Sequence, residues 1–199
     1  TYTLRIYNEG TQAGYASLVK DDLPEGLLFL PDHETNVEYR WVMLDENGNV
    51  TENVEEAVVV QTDYLSKEQE DQTGRDNLLD AFDSETMEEP DHRDIQIAFQ
   101  VTEPNTSDRI LINQAQIAED QNEEGNDVVD KDSTPDEWIE GEDDQDIEKV
   151  KVKYFDLALR KWVTQAIVIE NGKETVTDTG HTAEDDPEEP VKVEIPSGK

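Results

Sequence analysis

Ten oxygen-bearing side chains crowd into one stretch of the chain: Asp120, Asn122, Glu124, Asp130, Asp132, Asp136, Glu142, Asp143, Asp144 and Asp146. Calcium takes roughly six to eight oxygen ligands from carboxylates, amides and backbone carbonyls on a flexible loop. The stretch therefore holds more donors than one ion needs, and calcium is the expected cofactor. Its spacing is not that of an EF-hand, whose twelve-residue loop closes on a glutamate. The same composition also describes a solvated acidic linker. Strand-like segments close against both ends favour the cation.

Three further polar residues fall on faces that are otherwise apolar. In RILINQAQI, Asn113 shares a face with Leu111, Ala115 and Ile117. After the acidic run, Lys161 shares a face with Phe155, Leu157, Leu159 and Val163. Asp21 sits on the face of Val19 and Leu23. A lone ammonium, amide or carboxyl is costly to bury without a partner. The bland alternative is that Lys161 snorkels to a strand edge while Asn113 bonds backbone within the core.

No enzyme is expected. His33, His92 and His181 stand apart in polar turns and make no metal-ligand spacing. No serine elbow, phosphate-cradling glycine loop or zinc-helix motif appears. With 51 Asp and Glu, some carboxylate pair lies at almost any chosen spacing, so glycosidase-like pairs carry no signal. Trp41, Trp138 and Trp162 could stack on sugar rings, but Trp41 alternates within an apolar segment and reads as core.

The 199 residues carry 16 Lys and Arg, a net charge of −35 and a sequence pI near 4.1. Nucleic acid and anionic membrane would repel such a chain. Its own self-repulsion calls for neutralising cations. Cysteine is absent, which excludes disulfides and thiolate metal sites. No apolar run approaches a membrane span, and the chain reads as a piece of something longer.

The elements that must position these residues are short strands. Tyr2, Leu4 and Ile6 alternate, then Gly14 to Val19, then Val37, Tyr39, Trp41 and Met43 before an Asn47-Gly48 turn. Residues 63–90 form a polar crossover, with a short helix expected at Leu78, Leu79 and Phe82. Ile95, Ile97, Phe99 and Val101 alternate again. Beyond the acidic run, Val150, Val152 and Tyr154 alternate, Ile167 and Ile169 lead to an Asn171-Gly172 turn, and Val191, Val193 and Ile195 end the pattern. The fold class is all-β, an immunoglobulin-like sandwich with a long crossover carrying a short helix. Residues 1–149 are expected to form one sandwich closed by the acidic seam, and 150–199 the opening strands and linker of an adjoining unit.

VKDDLPEGLLF, INQAQI and DKDSTPDEWIEGEDDQD together resemble the conserved repeat found in tandem in large bacterial surface proteins, the class of domain of unknown function eleven. YTLRIYNEG and YFDLALRKWVT are similar to segments of its Gram-positive members, and isopeptide-forming pilin and adhesin domains share the layout. In that family a segment like YFDLALRK opens a repeat and one like TYTLRIYNEG follows a linker. Here that order is inverted, so one copy's end would complete the next copy's sandwich.

The resemblance implies an extracellular stalk or filament on the cell surface, stiffened by calcium and by a Lys–Asn isopeptide bond between consecutive units. Lys161 would attack Asn113 of the next copy, with Asp21 as the assisting acid; desolvation favours the neutral amine this requires. Neighbouring copies, fused or docked, are the expected partners. The alternative is an adhesin module recognising host protein, matrix or glycan through the crossover.

Overall fold

Alternation at the start of the chain becomes the strand β1 (Tyr2–Asn8) of the computed structural model, which describes residues 1–102, 108–128, 142–153 and 157–182. There follow β2 (Gly14–Asp22), β3 (Leu27–Phe29), α1 (Glu34–Glu38), β4 (Val42–Leu44), β5 (Val50–Thr51), β6 (Val59–Thr62) and α2 (Lys67–Thr73). Then come β7 (Asp91–Ile97), β8 (Phe99–Val101), β9 (Ile110–Asn122), β10 (Asp127–Val128) and β11 (Gln145–Lys151). The hairpin β12 (Gln165–Glu170) and β13 (Lys173–Asp178) comes last. The chain divides into two units, Thr1–Lys153 and Tyr154–Lys199.

The first unit is an all-β sandwich of antiparallel strands. One layer runs β10-β9-β2-β6-β4-β5, with β11 also paired to β9. The facing layer consists of two short ladders, β1–β7 and β3–β8. Their inner faces meet in a core of Ile6, Ala16, Val19, Phe29, Val60, Ile95 and Ile97, with Trp41, Met43, Leu65 and Leu79. Trp41 is core, as its alternation implies, and its indole N–H donates to the Gln96 carbonyl at 2.8 Å.

β7 and β8 are separated only by Ala98, where the ladder changes partner. Asn36 fills the gap. Its Nδ2 donates to the carbonyls of Ala98 and Leu30, both at 2.8 Å, and its Oδ1 accepts from the Ala98 N–H at 2.8 Å. This amide stands in for a strand neighbour at the break.

Two local expectations are corrected. Val37 and Tyr39 do not continue into the strand of Met43: they lie on and just after α1, and Val37 is exposed. His33 caps this helix by accepting from Thr35 N–H, and Arg40, at φ 57°, turns the chain left-handed before β4. Apolar alternation here spans a capped helical turn and a strand. Nor do Leu78, Leu79 and Phe82 form a helix. The helix of the crossover is α2, started by Ser66 Oγ accepting from Gln69 N–H at 3.2 Å and stopped by Gly74 at φ 71°. Leu79 instead makes two backbone bonds to Gly14, at 2.9 and 3.0 Å. Glycine is required there, because a Cβ would stand 2.8 Å from the Gln121 carbonyl oxygen.

The crossover after α2 is tied down by Glu70, whose carboxylate accepts from Tyr15 Oη and from the N–H groups of Asn77 and Leu78. Val150 pairs with Leu111 in the β9–β11 ladder, and the Val152 N–H donates to the Arg109 carbonyl, so both belong to the first unit. In the second unit, β12 and β13 pair from Gln165↔Asp178 to Glu170↔Lys173 and close through Asn171 (φ 52°) and Gly172 (φ 79°). Tyr154, Phe155, Val191, Val193 and Ile195 lie outside the described residues. Among the described residues no helix is long and apolar enough to cross a membrane.

Candidate functional site

β2 delivers Asp21 to the interior by the same alternation that buries Val19, with Asp21 opposite Val60 on one side and Ala115 on the other. Two residues earlier on β9, Asn113 points the same way, and both are almost fully buried, at 1% and 4% exposure. Asn113 Nδ2 donates to Asp21 Oδ1 at 2.7 Å and to the Asp22 carbonyl at 2.9 Å. The other carboxyl oxygen, Asp21 Oδ2, is buried with no hydrogen-bond partner.

Burial pushes the Asp21 carboxyl up to about 7; the Asn113 hydrogen bond opposes this and the nearby Asp22 charge adds to it. Tyr2, on β1 across the sandwich, feels the same surroundings. Its hydroxyl is buried and unpartnered, and its pKa is raised by burial first, then by the charges of Asp21 and Glu148. Buried polar atoms left unpaired are rare in folded proteins and cost about 1–3 kcal/mol each.

Both groups line a groove of about 1090 Å³ in the first unit, bounded by β1, by Asp21 and Val19 of β2, by Asn113 to Ile117 of β9 and by the start of β11. Its floor is apolar where Ile6, Val19, Leu79 and Ile117 contribute. Its rim is acidic, carrying Asp120, Asp143, Asp146 and Glu148, and a second buried acid, Asp144, also lines it. Among the described residues the only basic side chain lining it is that of Arg5, which is ion-paired with Asp94 at 2.7 Å.

The structure therefore brings Asp21 and Asn113 together. Lys161 belongs to the second unit, and it is not on the apolar face of a strand as expected. It lies in the segment before β12 and is exposed, together with Leu157 (79%) and Leu159 (89%). No core among the described residues of that unit is there to receive this face.

Of the expected calcium ligands, Asp120, Asn122, Asp143, Asp144 and Asp146 line the groove. The Asn122 Oδ1 is occupied in a turn, accepting from Glu124 and Asn126 N–H, and Glu142 Oε2 accepts from Gln145. Among the described residues no group of three or more acidic or histidine side chains converges closely enough to hold a metal ion. Asp130, Asp132 and Asp136 lie outside them, as does Trp138.

Sequence reasoning missed Tyr2. Alternation places it on a face, and no local signal reveals that its hydroxyl is buried within reach of the charge of Asp21. No family model, curated protein or solved structure matches the chain.

Proposed function

We propose that the chain is a structural repeat of an extracellular bacterial surface stalk or filament. Consecutive sandwiches are stiffened by calcium held in the acidic run and by an amide crosslink between Lys161 of one copy and Asn113 of the next. The observation that supports this reading is the buried Asp21–Asn113 pair. A carboxyl that stays protonated close to neutral pH, hydrogen-bonded to a buried primary amide, is costly for stability alone. It suits amide exchange with an amine.

In that step the neutral Nζ of Lys161 adds to Cγ of Asn113. A proton passes from Nζ by way of the Asp21 carboxyl to Nδ2. The Cγ–Nδ2 bond breaks, ammonia leaves, and an Nζ–Cγ amide remains. Asp21 ends as it began, and no oxidant or reductant is consumed.

Intact-mass measurement under denaturing conditions tests the crosslink after the full chain is held at high concentration. A species one ammonia lighter than two chains, lost in Asn113→Ala and in Lys161→Arg, is the expected result. Only the mass of the unmodified chain at every concentration would remove the crosslink from this reading.

A further inference from the structure

β1 is hydrogen-bonded on one side only, to β7, so its other edge has no strand beside it among the described residues. All of β1 lines the groove that holds Asp21. We infer that this edge and groove take up residues 157–163 of a second copy as an added strand, with Lys161 directed at Asp21. The inference rests on the stalk reading for its partner but not on any covalent bond.

Length, face and charge all fit. β1 offers seven residues of edge, the length of the segment 157–163. In extended form that segment puts Leu157, Leu159, Lys161 and Val163 on one face. The groove offers a matching mixture, an apolar floor of Ile6, Val19, Leu79 and Ile117 beside the buried acids Asp21 and Asp144. The carboxyl oxygen Asp21 Oδ2 and the Tyr2 hydroxyl, both buried and unpartnered, are suited to an incoming ammonium.

The segment carries Arg160 and Lys161 and no acid, in a chain of net charge −35. It is thus a basic strand facing an acidic rim. The described residues of the second unit also leave apolar side chains uncovered. None of its described residues is buried, and the β12–β13 ladder leaves Ile167, Ile169 and Val176 exposed. A lone two-stranded ladder is marginal in water. Strand addition supplies main-chain bonds for affinity and alternate side-chain pockets for selection.

The test adds a fluorescent synthetic peptide of residues 154–165 to the full chain and follows anisotropy, alongside sedimentation of the chain over a concentration series. The expected result is peptide binding that weakens with salt, and concentration-dependent assembly that the peptide inhibits. A peptide with Leu159→Asp should bind roughly tenfold to hundredfold more weakly, from the lost burial of one leucine. A chain with Leu159→Asp should no longer self-assemble yet still bind wild-type peptide, which shows that it is folded and that its groove is intact.

No binding of the wild-type peptide at low or high salt would overturn the inference. So would a monomeric chain that binds peptide only after its own Leu159 is replaced, since the occupant would then be its own segment. Unmodified masses together with reversible peptide binding would remove the crosslink and leave the docking in place.

Discussion

Replacing Asp21 by asparagine isolates the cost of the buried acid. In the folded chain Asp21 releases its proton at about 7, against an ordinary value of 3.8. The folded pKa is the higher one, so between these limits the folded state holds a proton that the unfolded state has released. Raising the pH across that window therefore favours unfolding. Stability is intact below about pH 4, falls by about 1.4 kcal/mol per pH unit, and levels off above about pH 7. The whole interval is worth about 4 kcal/mol. Asp21 is 1% exposed, so solvent screening does not discount this figure.

Asp21→Asn keeps an oxygen for the Asn113 N–H and cannot ionise. Urea unfolding followed by far-UV circular dichroism, from pH 4 to pH 8.5, should give curves for the two chains that separate as the pH rises, the variant becoming the more stable. General acidic repulsion and the burial of Asp22 act on both chains and cancel in the difference, whereas the repulsion between Asp21 and Asp22 is part of what the variant removes. A pH-dependent separation below about 1 kcal/mol, within ordinary extrapolation error, would refute the reasoning.

Three further outcomes are expected. Calcium at about ten times its dissociation constant should add about 1.4 kcal/mol per site, read by calorimetry as a higher Tm that a chelator reverses and sodium chloride does not reproduce. Asn36→Ala leaves the Ala98 N–H and the carbonyls of Leu30 and Ala98 without their partner and should cost about 3 kcal/mol or more in urea unfolding. Glu70 responds to pH with the opposite sign to Asp21. Burial raises it, but the Asn77 N–H, the Tyr15 hydroxyl and the Leu78 N–H together hold it below its ordinary value. Its contribution is present above the ordinary carboxylate range and lost on acidification, so Glu70→Gln should flatten the acid limb of a Tm–pH profile.

What could be read in the sequence was governed by period. Tyr2 to Ile6, Ile95 to Ile97 and Leu111 to Ile117 alternate because each strand has one face on the core, and period two survives in one dimension. Asn113 and Asp21 stood out for the same reason, as polar side chains on faces otherwise apolar. The α1 turn did not, because Val37 and Tyr39 imitate a strand while His33 caps and Arg40 redirects the chain. Ser66 and Gln69 have the spacing of a capping box for α2, a signal that apolar spacing, which pointed to Leu78, Leu79 and Phe82, does not register. Pairing was illegible altogether. Arg5 meets Asp94 across 89 residues, and only three-dimensional closure puts Tyr2 within reach of the charge of Asp21. The exposure of Lys161 was hidden too, since alternation marks a face without saying what will cover it.

The break at Ala98 has a chemical consequence of its own. A primary amide is the one hydrogen-bonding side chain that water slowly converts into a carboxylic acid. At position 36 that conversion would exchange two donated bonds for a carboxylate oxygen set against two carbonyls. Asn36 is 1% exposed, so the joint between the β1–β7 and β3–β8 ladders keeps its amide only as long as the fold keeps water away from it.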